Sequence, residues 1–140
     1  PERDAVRLLR KAMPRSHQAF LGGLADTFRA GDYLFVHAGI RPGIPHAEQK
    51  QSDLRWIRSP FLGCEDDHGF VVVHGHTIAA GVDVCSNRIG VDTGAYKTGG
   101  LSALGLEGSE RWVLHTGPRH EKNLQSEGTS DALVSNKLEC

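Results

Sequence analysis

The 140-residue sequence has no apolar run approaching the roughly 18 residues that a membrane-spanning helix requires; its longest apolar stretches are strand-sized. No basic start followed by an apolar segment marks a secretory signal. Charge of one sign is also lacking: 16 Lys and Arg stand against 17 Asp and Glu, for a net charge of -1. Attraction to nucleic acid or to an anionic membrane by overall charge is therefore disfavoured, and neither partner is expected. The three cysteines, Cys64, Cys85 and Cys140, are an odd number without zinc-type spacing. That count suits unpaired thiols in a reducing compartment, so a cytoplasmic location is expected.

What the chain does have is histidine, eight in 140 residues, and it begins at Pro1. Histidine is the side chain most used as metal ligand or acid/base near neutral pH. Ala5, Leu8, Leu9 and Ala12 recur at helical spacing within Pro1 to Met13, which predicts an amphipathic helix. Pro14 interrupts it, and a second helical segment is expected over His17 to Gly22. A strand from Leu24 to Phe28 is expected to hairpin, through Ala30-Gly31-Asp32, into a buried strand ending at His37. Three prolines and many polar groups make residues 40–69 loop, with a helix around His46 to Trp56. Phe70 to His74 repeats the design of an apolar strand closed by histidine and followed by a small residue. Two further hairpins follow, Val82 to Asp92 and Leu101 to His115, and residues 117–140 read as a disordered tail.

His74-Gly75-His76 sets two imidazoles at i and i+2, which an extended backbone would place on one side. With eight histidines the spacing alone is a weak signal. Its context, two strands ending in histidine before small residues, makes His37, His74 and His76 a candidate metal set.

Four segments in order carry a resemblance. They are Gly31 to Gly43, Asp53-Leu54-Arg55-Trp56-Ile57-Arg58, Val73-His74-Gly75-His76-Thr77, and Asn87 to Tyr96. Together they resemble bacterial calcineurin-like metallophosphoesterases, of the branch with serine/threonine phosphoprotein phosphatases and symmetrical dinucleoside tetraphosphate hydrolases. The resemblance covers residues 14 to 115. It implies an α/β fold, with residues 1–116 as the carboxyl-terminal half of a four-layer α-β-β-α sandwich. It also implies two divalent ions (Mn, Fe or Zn), a phosphoprotein or small phosphoester substrate, and ligand roles for His37, His74 and His76. Arg58 resembles the arginine that grips a substrate phosphate oxygen, a task suited to a planar donor fork. Asp92 is either an outer acceptor that fixes a histidine tautomer or a turn residue, the latter favoured.

The family's upstream elements, Asp-x-His, Gly-Asp-x-x-Asp with Arg-Gly, and Gly-Asn-His-Glu, have no counterpart before His37. Asp66-Asp67-His68 matches the first only literally and falls in a polar loop. The bridging aspartate, the asparagine ligand and the general-acid histidine are missing. The expectation is that Pro1 begins partway through a larger protein, and that no catalytic residue proper lies in this chain, which is inactive alone. His17, His46, His68, His115 and His120 are read as capping or solvent-facing, Trp56 and Trp112 as packing, and Cys64 as a passive thiol. Tyr96 and Lys97 border a cleft or form a turn. Besides the two hydrolase readings, a noncatalytic binding module and a mononuclear site in a cupin-like barrel are the rivals. The barrel lacks its expected glutamate.

Overall fold

A computed structural model describes residues 2–108, 110–116 and 134–137. The chain is mixed α/β. Helices α1 (Glu2–Ala12) and α2 (Arg15–Gly22) come first, divided by Pro14, whose ring disfavours helical geometry at Met13. Strands β1 (Thr27–Ala30) and β2 (Tyr33–Val36) form a hairpin across Gly31, which holds φ 56°. The first strand thus starts later than the expected Leu24. Asp26 accepts hydrogen bonds from Gln51 and Arg55, and this anchors the approach to the hairpin outside the ladder.

A 3-10 turn (His46–Glu48) and α3 (Gln51–Trp56) occupy the loop where one helix was expected. Then follow β3 (Val71–His74), β4 (Asp83–Val84), β5 (Arg88–Gly90), α4 (Ala95–Thr98), and the hairpin β6 (Ser102–Glu107) with β7 (Glu110–His115). The first sheet has the order β1-β2-β3-β5-β4; β2, β3 and β5 run parallel, and an antiparallel strand lies at each edge. The second sheet is β6-β7-β8, with β8 spanning Val134–Lys137. Residues 117–133 and 138–140 of the expected tail lie outside the described residues. Within it, Val134–Lys137 pairs antiparallel with β7, so these four residues complete a ladder where disorder was expected.

The core forms where one face of the parallel strands meets α3 and the segment after it. Leu34, Val72, Ala38, Ile40, Leu54, Ile57 and Phe61 are buried together. Each large side chain here contributes about 1.5–3 kcal/mol of burial, which is what holds a six-residue helix in place. Gly39 is required at its position: φ is +150°, and a Cβ there would lie 2.3 Å from the Phe61 ring. The two sheets are stitched by side chains. The Thr93 hydroxyl, just past β5, meets Ser102 Oγ at 2.9 Å, and Arg111 Nε donates to the Tyr33 hydroxyl at 2.7 Å; within the second sheet Ser102 Oγ also meets His115 Nδ1 at 2.8 Å. No helix among the described residues is long and apolar enough to cross a membrane.

Candidate functional site

In open sheets with parallel strands, ligands bind outside the carboxyl ends of those strands, where loops diverge. Here β2, β3 and β5 deliver His37, the Gly75-His76-Thr77 segment and Asp92 to that edge. Three contacts fix the spacing of the loops: Gly75 N–H donates to the His37 carbonyl (2.9 Å), Val91 N–H to the His74 carbonyl (2.8 Å), and Ala79 N–H to the Asp92 carbonyl (2.9 Å).

The loop after His37 is pinned to α3. Ala38 N–H donates to the Leu54 carbonyl, and Arg41 grips Asp53 through two hydrogen bonds of 2.8 Å. The paired guanidinium holds the Asp53 carboxyl below its usual range. Because α3 is tied to the His37 loop at its middle, its end carries Trp56 and Arg58 to the same edge.

His37 and His76 come together, with ring centroids 5.0 Å apart and planes tilted by 58°. Trp56 meets His76 edge-on at 5.5 Å. The His76 imidazole is held below its ordinary pKa, first by burial and then by the positive potential of Arg58 and His37, with Asp92 opposing. These interactions place Arg58 and Asp92 in the electrostatic surroundings of the pair. Asp92 also accepts the Gly94 N–H at 2.9 Å, which is the turn role expected of it.

His74 is not part of that pair. The reading of His74 and His76 as same-side neighbours requires extended backbone, and the strand has ended by His76. His76 has φ 65°, and Thr77 N–H donates to the Gly75 carbonyl at 2.7 Å, so the chain makes a γ-turn there. His74 stays in β3, only 3% exposed, edge-on to Phe61 at 5.0 Å and resting over Gly90. Its Nδ1 donates to the Gly75 carbonyl (3.1 Å), which leaves Nε2 unpartnered. Burial lowers its pKa. Among the described residues no three His, Cys, Asp or Glu side chains gather as a metal-holding group.

The 5.0 Å spacing of the two rings is compatible with an ion shared between them. Two imidazoles bound to one first-row ion at about 2.1 Å per nitrogen have ring centres about 4.5–5 Å apart. His76 Nε2 is buried with no hydrogen-bond partner, as are His68 Nε2 and His74 Nε2, and of these three histidines His76 is the one whose ring faces His37. The arrangement sets two imidazole rings in the electrostatic surroundings of a guanidinium, residue types that suit a cation and a phosphate oxygen.

Trp56, read from sequence as packing, is 70% exposed and flanks the site. It borders a groove of about 630 Å³ whose walls include Leu21, Leu24, Phe28, His37 and Arg55. The only advance signal for its placement was its position two residues before Arg58. Trp112 does pack, covering Gly105 on the facing strand. His68 stacks on Phe61 at 6.2 Å, and Asp67 accepts the Gly69 N–H in the same loop, away from the pair. His46 bonds the Thr27 hydroxyl at 3.0 Å, His17 and Tyr96 are exposed, and Cys64 and Cys85 are free thiols. His120 and Cys140 lie outside the described residues. No protein family, curated protein or solved structure matches the chain.

Proposed function

We propose that this chain supplies the histidine and arginine side of a metal-dependent phosphoesterase site, in a four-layer sandwich of the calcineurin-like kind, acting on phosphate monoesters such as a phosphoprotein. The observation that carries this reading is the pairing of His37 with His76 beside Arg58, at the carboxyl ends of parallel strands. His37 and His76 would hold an ion through neutral nitrogens. Arg58 would orient a phosphate oxygen, and the γ-turn at His76 fixes the angle at which its ring is presented. Two divalent ions (Mn, Fe or Zn) would supply charge neutralisation and a water acidified enough to attack phosphorus near neutral pH. His74 serves packing in this reading, not ligation.

The bridging aspartate and general-acid histidine motifs of that family have no counterpart in the sequence, and among the described residues no third His, Cys, Asp or Glu gathers with the pair as a metal-holding group. The 140-residue chain therefore binds metal weakly and does not turn over phosphoesters alone. A test combines manganese and zinc titration calorimetry with an aryl phosphate assay. Weak binding without turnover is expected; robust turnover would place the active site elsewhere, and failure to bind either ion would remove the metal site. A second reading, hydrolysis of dinucleoside tetraphosphates, rests on the exposed Trp56 ring at His76, where a nucleobase can stack.

A further inference from the structure

Helix α3 is six residues long, too short to hold its own orientation in water. Its one buried side chain is Leu54, so packing alone leaves it free to roll about that contact. Asp53 and Arg55 stand about 100° to either side of Leu54 around the helix axis, and each is bonded to a different part of the chain. On one flank Asp53 accepts two hydrogen bonds of 2.8 Å from Arg41, in the loop that follows His37. On the other flank both oxygens of Asp26, just before β1, are engaged: Arg55 donates to one at 2.7 Å and Gln51 to the other at 2.8 Å. Gln49 stiffens the first flank by bonding both the N–H and the carbonyl of Arg41. Half-exposed ion pairs of this kind contribute little to stability. Two of them on opposite flanks of one short helix, each through short charge-assisted hydrogen bonds, instead fix an angle.

We propose that Asp53 and Asp26 are positioning residues for phosphate: together they set the roll of α3, and the roll aims Arg58 at the edge of the sheet where His37 and His76 meet. The inference rests on the reading of Arg58 as the arginine that grips a phosphate oxygen. The path from helix to arginine is short and tight. Ile57 N–H donates to the Asp53 carbonyl at 3.0 Å, the Ile57 side chain is buried, and the Arg58 carbonyl accepts the Leu62 N–H at 2.9 Å. A rotation of α3 is therefore passed on to Arg58 and not absorbed before it. His37 is held separately, by the Gly75 N–H on its carbonyl, so the histidine pair keeps its spacing when α3 turns. Both carboxylates act against phosphate by charge, so loss of either would tighten anion binding if charge were all that counted. Positioning predicts the opposite sign.

The experiment is calorimetric titration of the full 140-residue chain with inorganic phosphate, with zinc affinity measured in parallel. Asp53→Asn and Asp26→Asn, which keep side-chain size, should each weaken phosphate about tenfold, since misplacing a gripping group by about 1 Å is costly. Zinc affinity should stay within about twofold in both. In an Arg58→Ala background neither substitution should weaken phosphate further, because a positioning residue acts only through what it positions. The exchanged pair R41D/D53R keeps the net charge, restores the ion pair in reverse and should recover most of the loss. Unchanged or tighter phosphate binding in both asparagine variants, with Arg58→Ala still weakening it, would overturn the positioning and leave the reading of Arg58 standing. An Arg58→Ala chain that binds phosphate like the parent would overturn that reading itself. Equal losses with and without Arg58 would reduce the two carboxylates to supports of the fold and overturn the proposal.

Discussion

The imidazole of His37 stands 5.0 Å from that of His76, each at the end of a parallel strand, while His74, two residues from His76, turns into the core against Phe61. A single γ-turn separates the two outcomes. It makes the neighbouring histidines chemically distinct, and the distinction can be measured.

Replacing His37 or His76 by alanine should abolish most zinc or manganese affinity, weakening it roughly 100-fold, because a two-nitrogen site left with one ligand is hardly a site. His74→Ala should leave metal affinity within about twofold. It should instead destabilise the fold by about 2 kcal/mol, through the cavity left beside Phe61 and the lost bond to the Gly75 carbonyl. Calorimetry and urea denaturation on the three variants check both halves. Loss of metal affinity in His74→Ala at unchanged stability would reverse the assignment.

Stability should fall on acidification in two stages. Burial holds His68, His74 and His76 below the ordinary histidine value of 6.5, so below that pH the unfolded chain takes up protons that the native chain refuses. Their contribution is complete above pH 6.5 and is lost as pH drops toward the folded values. Asp26 is held below 3.8 chiefly by the Gln51 hydrogen bond and then by Arg55, and Asp53 by Arg41, so a second loss begins only below that pH. Urea midpoints should decline between pH 7.5 and 5.5, and His68→Phe should flatten that slope. A midpoint independent of pH over this range would contradict the buried histidines.

Gly39→Ala should destabilise by about 3 kcal/mol, since its Cβ would overlap the Phe61 ring and its φ of +150° suits only glycine. Adding Phe61→Leu should recover part of the loss, because the overlap lies with the ring. Thermal melts of the single and double variants decide this: additive losses would show that strain at residue 39, not overlap, is the cause.

How much of this was legible in the sequence follows from what each signal depends on. Tyr33 to Val36 and Val71 to His74 were readable because buried parallel strands are apolar on both faces and end at small residues. The start of β1 was not, since it depends on Asp26 being held by Gln51 and Arg55, which lie far along the chain. The meeting of His37 and His76 was legible in part, since each follows an apolar strand whose end the sequence marks. The removal of His74 was not, because it turns on the backbone angle of His76, and no spacing rule reports a γ-turn in advance. Trp56 was assigned to packing by its chemistry alone; its exposure depends on where α3 ends relative to the sheet.

Arg58 is the residue on which the phosphate part of the proposal turns. Its guanidinium lies close enough to depress the His76 pKa, so an anion drawn to Arg58 arrives beside the histidine pair. If the arginine grips a phosphate oxygen with two parallel donors, lysine restores its charge but not its fork. Arg58→Lys should therefore weaken inorganic phosphate or vanadate binding about tenfold, and Arg58→Ala about 100-fold, with metal affinity in both rising slightly as a nearby positive charge is lost or moved. Equal anion affinity in the lysine variant and the parent would reduce Arg58 to a point charge. Unchanged affinity in the alanine variant would detach the anion from this edge of the sheet altogether.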